Sequence, residues 1–159
     1  MLFRNPNNRG DNRLYENDLC PEQTTVESKP VDSILAELGI GSVDLIKIDV
    51  QGFEGHVVQG MKETLNRSPK ATLLMEFWPW GLSQAGSDAR DLLAILEGLG
   101  FVLFELKKDG LLKIVSSHSA LIERLKGRQY TNLVGVTRHA AAESVSREEA
   151  KAAGASPSS

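Results

Sequence analysis

Hydrophobic and polar positions alternate along this chain with two periods. Between residues 31 and 39 Ile34, Leu35 and Leu38 have helical spacing, with Asp32 placed to cap the helix and Gly39 to stop it. Residues 43–50 (VDLIKIDV) are β-rich and end at a Gln51-Gly52 break. Phe53, Val57, Met61 and Leu65 then fall at i, i+4, i+8 and i+12, which predicts one continuous helix closed by Ser68-Pro69. Residues 71–77 (ATLLMEF) form a second apolar strand. Ser87 or Asp88 starts a helix carrying Leu92, Leu93, Ile95, Leu96 and Leu99, closed by Gly100. The runs FVLFEL and LLKIV flank Lys107-Lys108-Asp109-Gly110, a hairpin signal, and TNLVGVT reads as the last strand.

Strands alternating with helices predict an α/β sheet that starts parallel, and the hairpin makes its far edge antiparallel. Three stretches differ in composition. Residues 1–30 are a polar, Asn/Gly-rich lead-in whose Arg4, Arg9 and Arg13 read as a solvated loop, although an anion contact is the alternative. Residues 31–138 hold the α/β pattern. Residues 139–159 are Ala, Ser and Glu with almost no large apolar side chain, too little to offset ordering entropy, so a disordered tail is expected.

Composition narrows the function classes. Hydrophobic residues make up 41% and charged residues 25%, with a formal net charge of −3. No basic excess exists to neutralise phosphates, so no nucleic-acid role is expected. No apolar run approaches the roughly 20 residues of a membrane span. The polar N-terminus is not a signal peptide, and the single Cys20 has no disulfide partner, so a reducing, cytoplasmic setting is expected. No metal-ligand spacing links His56, His118 and His139, and no metal is expected.

The informative segment is the strand and turn from Leu45 to Glu54. Alternation puts Leu45, Lys47 and Asp49 on one face and Ile46, Ile48 and Val50 on the other. A Lys and an Asp on one face of a central strand must pair or lie at the rim. Asp49 sits at the strand's carboxyl end, where ligands bind in open α/β sheets. In the second strand Glu76 is again an acid near the carboxyl end, so both carboxylates would line one rim, with Lys47 placed to bridge to Glu76. The bland alternatives are an ion pair that merely neutralises Lys47, and a cap for the next helix made by Asp49. Trp78 follows Glu76 directly and would either face a ligand or cover the rim. His56, one residue off the apolar stripe, is a candidate base or ligand contact, or else a solvent-exposed helix residue. Glu54, in the first turn of that helix, favours a structural role.

The run VDLIKIDVQGFEGHVVQGM resembles the signature of the FkbM-type methyltransferases at Asp44, Lys47, Asp49, Gly52, Glu54 and Gly60. ESKPVDSILAELG and NPNNRGDNRLYE resemble the family's flanks upstream, and TLLMEF, FVLFELKKDG and TNLVGV its last strands, so the likeness covers roughly residues 5–138. Gln51 stands where the family usually has Glu. The resemblance implies an S-adenosylmethionine-dependent methyltransferase with a doubly wound, Rossmann-like sheet, O-methylating a small molecule or sugar. In such an enzyme Asp49, at the strand's carboxyl end, is the candidate to orient or deprotonate the acceptor hydroxyl, and Glu76, Trp78 and His56 are candidate substrate contacts. The Gly-rich cofactor turn has no counterpart, since Gly39-Ile40-Gly41 follows a helix and precedes a strand. The chain therefore reads as the carboxyl-terminal part of such an enzyme, inactive alone, its cofactor-binding residues unknown. The alternative is a non-catalytic remnant or binding module that needs a partner chain. Loss of neighbouring strands would leave 44–50 as an edge open to self-association.

Overall fold

The computed structural model describes residues 1–8, 10–16 and 18–142. Strands β1 (Leu2–Arg4) and β2 (Glu22–Thr24) form a separate two-stranded antiparallel sheet in the lead-in. The main body runs α1 (Val31–Glu37), β3 (Leu45–Ile48), α2 (Glu54–Gln59), α3 (Lys62–Arg67), β4 (Thr72–Phe77), α4 (Pro79–Gln84), α5 (Ala89–Gly98), β5 (Phe101–Leu106), β6 (Leu112–Ile114), α6 (His118–Arg124) and β7 (Thr131–Thr137). Residues 138–142 are helical, and the expected disordered tail otherwise lies outside the described residues.

The five main strands are ordered β3-β4-β7-β5-β6. Only β3 and β4 are parallel. The β5–β6 hairpin makes the far edge antiparallel, as the Lys107–Gly110 turn predicts. Antiparallel pairing also reaches the middle of the sheet, because β7 enters between β4 and β5 and runs against both. The parallel part is thus shorter than the alternation of elements suggests.

The core lies on one face of the sheet. Leu73, Met75 and Phe77 of β4, Phe101 and Leu103 of β5 and Leu133 of β7 are buried against Val58, Leu65, Leu82, Leu93, Leu96 and Leu121 of the helices. The alternate residues Leu74, Val102, Phe104, Val134 and Val136 share the second face and are only half-buried. Among the described residues the layering is one sheet and one set of helices, where a doubly wound arrangement has helices on both faces. No described helix is long and apolar enough to cross a membrane.

The predicted helix over 53–65 is two helices. It breaks at Gly60, where a Cβ would stand 3.4 Å from the Cα of Pro30, and Gly60 O accepts the Asp32 N–H at 2.9 Å. Asp32 does not cap its own helix, which begins after Pro30. Its carboxylate instead accepts the backbone N–H groups of Glu63 (3.1 Å) and Thr64 (2.7 Å) and the Thr64 hydroxyl (2.6 Å), restarting the helix as α3. Burial opposes the charge, but these bonds outweigh it and hold the carboxyl below its ordinary range. Asp32→Ala is expected to cost about 1–2 kcal/mol, the worth of a strong helix cap. Urea denaturation checks this, and a loss within 0.3 kcal/mol of zero would mean that α3 starts without the cap. At α5 the expectation holds, since Asp88 accepts the N–H groups of Arg90 and Asp91.

Candidate functional site

The parallel register of β3 and β4 pairs Leu45 with Thr72 and Lys47 with Leu74, so Asp49 comes level with Glu76 on the same face at the carboxyl rim. The side-chain amide of Gln51 joins them, its Nε2 standing 3.3 Å from Asp49 Oδ1 and 3.4 Å from Glu76 Oε2. Gln51 reaches this place from a left-handed backbone conformation, φ 52°, uncommon for a residue with a side chain. Lys47 does not bridge to Glu76. Its Nζ lies 3.4 Å from Asp49 Oδ2, and both side chains are largely exposed. The edge position of β3 lets the ammonium stay in water while it pairs.

Glu54 supports the turn from below. It is 0% exposed, and its Oε1 accepts the N–H groups of Val50 and Gly52, both at 3.2 Å. Oε2 is buried without a hydrogen-bond partner. Burial pushes this carboxyl up and the backbone bonds only partly oppose it. Its place is structural, as its position in the first helical turn suggests.

Glu76 has the most perturbed environment of the rim. Burial, and then the charges of Asp49 and Glu54, push its carboxyl up to about 7, with Arg13 acting in the opposite direction. The guanidinium of Arg13 was not foreseen here. Arg13 is buried, not solvated: its Nη2 pairs with Asp11 at 2.8 Å, its Nη1 bonds the Tyr15 hydroxyl at 3.0 Å, and its Cζ lies 5.1 Å from the centre of the Trp78 ring. Arg4, by contrast, is exposed and pairs with Glu22, and Arg9 lies outside the described residues. The signal in the sequence was the alternation Asp11-x-Arg13-x-Tyr15, which sets three interacting side chains on one side of an extended segment.

Trp78 is 8% exposed, with its Nε1 buried and unpartnered. It tilts against Trp80, with ring centres 5.1 Å apart, while Arg128 stands over Trp80. The structure thus gathers Asp49, Glu76 and Trp78 around Gln51 and Arg13. His56 takes other partners. It is exposed on α2, stacks on Phe53 with centres 4.1 Å apart, and holds its Nε2 2.8 Å from Ala85 O, tying α2 to the loop before α5.

A turn binds a ligand through its backbone only where its N–H groups are free. In the turn after β3 the Gly52 N–H is taken by Glu54, and a Cβ on Gly52 would stand 2.5 Å from Gly81 O. That N–H is therefore not available to a bound molecule. No group of three or more His, Cys, Asp or Glu among the described residues is arranged to hold a metal ion. Two carboxylates at one rim, one of them pushed up to about 7, can accept and release a proton near neutral pH.

The comparisons with known proteins agree with the signature in β3 and its turn. Over 44 residues the chain is 46% identical to the 2-O-methyltransferase NoeI of Sinorhizobium fredii (strain NBRC 101917 / NGR234), a stretch covering 28% of this chain and 18% of that protein. No solved structure matches. The model of the methyltransferase FkbM domain matches residues 6–103, well over half of the sequence, and the chain belongs to the FkbM methyltransferase family.

Proposed function

We propose that this chain carries the acceptor side of an S-adenosylmethionine-dependent O-methyltransferase with a Rossmann-like sheet, acting on a hydroxyl of a small molecule or sugar. The observation that carries the proposal is the carboxylate pair at the rim of β3 and β4, joined by one amide. Glu76 takes the hydroxyl proton, because a base titrating near 7 is matched to neutral pH. Asp49 orients the hydroxyl, and Trp78, with Arg13 on its ring, walls the rim. The relative's name, a 2-O-methyltransferase, supports transfer to oxygen. No step through the methyl donor is assigned to these residues. The same feature supports a second reading, a module that binds the acceptor without catalysis.

Calorimetry and a methyl-transfer assay separate the readings. The 159-residue chain is expected to bind S-adenosylmethionine no tighter than millimolar. A low-micromolar dissociation constant, stronger by about 4 kcal/mol, would overturn the assignment to the acceptor side. With a donor-binding half present in the polypeptide, Asp49→Asn should lower turnover by about 10²-fold or more while changing thermal stability little. Full activity in that variant, or its unfolding, would make Asp49 a structural residue of the turn.

A further inference from the structure

At the end of the main sheet farthest from β3, the β5–β6 hairpin and α6 enclose a cavity of about 200 Å³. Glu105, near the carboxyl end of β5, lines it and is buried. Its Oε1 accepts hydrogen bonds from Arg124 Nη2 at 2.6 Å and from the Thr131 hydroxyl at 3.0 Å. Its Oε2 accepts one from Lys107 Nζ at 2.5 Å. Burial opposes the charge, but these bonds outweigh it and hold the carboxyl below its ordinary range. Lys113 stands directly opposite Glu105 in the β5–β6 register and also lines the cavity. Cross-strand partners share a face. Yet Lys107 and Arg124 have taken the carboxylate, and among the described residues no acid pairs with Lys113. The other acids of these elements face elsewhere: Glu123 pairs with Lys126, and Asp109 accepts the Leu111 N–H within the hairpin turn.

Three cations thus surround one carboxylate, and two positive charges are left over. Neutral donors line the same cavity. Ser117 Oγ accepts the Ala120 N–H at 3.2 Å, which leaves its own O–H to donate, and the Ser116 hydroxyl is beside it. Arg124 spends one guanidinium nitrogen on Glu105, and its side chain is half-exposed. We propose that this cavity binds a phosphate group, through Lys113, Arg124, Ser116 and Ser117. A phosphate monoester brings about two negative charges and three acceptor oxygens, which match the surplus and the donors. A carboxylate brings one charge and leaves half of the surplus unmatched. The volume lies below the roughly 300 Å³ at which pockets for whole drug-sized ligands begin, so the cavity takes the group and leaves the rest of a ligand outside. Glu105 lies on the helix face of the sheet and Glu76 on the other, so this site goes beyond the methyl-transfer reading and does not depend on it.

Nuclear magnetic resonance of the 159-residue chain tests the proposal, with amide shifts followed at constant ionic strength. One titration uses inorganic phosphate and the other glycerol phosphate, a small monoester. Saturable shifts centred on residues 113–117 and Arg124 are expected in the low-millimolar range or below. Tighter binding of the monoester would support a phosphorylated small molecule as the source of the group, and equal binding would support free phosphate. Lys113→Gln replaces an exposed side chain and should weaken binding by about tenfold. Ser116→Asp sets a second carboxylate in the cavity and should remove saturable binding. Lys126→Gln, outside the cavity lining, should bind as the parent does. The amide spectrum of each variant reports its folding in the same experiment. No saturable shift with either probe would overturn the proposal. Equal losses in Lys113→Gln and Lys126→Gln would overturn it too, by reducing the effect to a diffuse attraction of anions to this end of the sheet.

Discussion

Gly52→Ala is expected to cost about 3–5 kcal/mol, a large part of the stability of a domain of this size. Three effects add at this position. Gly52 has φ 97°, a conformation that residues with a Cβ rarely adopt. A Cβ would meet Gly81 O at 2.5 Å and Gly81 C at 2.6 Å, backbone atoms of α4 that cannot rotate away. Gly81 in turn cannot retreat, because it lies against the indole of Trp78 so closely that a Cβ there would overlap the ring. Any outward shift of the turn also strips the Gly52 N–H from Glu54, a carboxylate with 0% exposure and one oxygen already unpartnered. Gly98→Ala is the control. It stands at the end of α5 with nothing within 4 Å and an ordinary φ, so its stability should stay level or rise by about 0.5 kcal/mol. Urea midpoints measure both. A loss under about 1 kcal/mol in Gly52→Ala would mean that the turn does not rest on α4.

That turn also marks the limit of what the chain's pattern discloses. The strand at 45–48, the acid beyond it, the acid of β4 and the hairpin after β5 are all written locally, in period-2 runs and turn residues, and each is found in place. The entry of β7 between β4 and β5 is not local. Nothing in TNLVGVT names its neighbours, β4 and β5. The break at Gly60 escaped the apolar stripe because the stripe continues through it. What interrupts the helix is a segment about 30 residues earlier, Pro30 and Asp32, whose backbone and carboxylate meet it. Arg13 escaped for the reason opposite to Asp49. It stands in a polar run where arginine is expected in water, and it is buried by an aromatic ring, Trp78, from the far side of the sequence. Gln51 looks like a lost charge when read alone. In place, its neutral amide joins two carboxylates that a third would repel.

Glu76→Gln is expected to stabilise the protein at alkaline pH and, under the proposed function, to slow methyl transfer. The carboxyl of Glu76 is raised to about 7 by burial and by Asp49 and Glu54, well above the ordinary value near 4.3. A group raised in the folded state favours folding most below its unfolded pKa and loses that contribution as pH climbs to its folded value. The loss in the parent therefore accumulates between about pH 4 and pH 7 and is complete above. Glutamine keeps the shape, and its amide oxygen still accepts the Gln51 N–H, but it never ionises. At pH 4 parent and variant should be of equal stability. At pH 8 the variant should be more stable by about 1 kcal/mol, a figure already reduced for the solvent access of a rim position. Under the proposed function, and with a donor-binding half present in the polypeptide, the rate of methyl transfer should rise with pH through about 7, as Glu76 becomes able to accept a proton, and the variant should be slower by about 10²-fold or more. Stability and rate thus move in opposite directions, which is the signature of a carboxylate kept at a cost to the fold for its chemistry. If Glu76→Gln instead loses stability at pH 8 and activity in proportion, the carboxylate serves the fold, and the proton acceptor must be sought among the other groups of the rim.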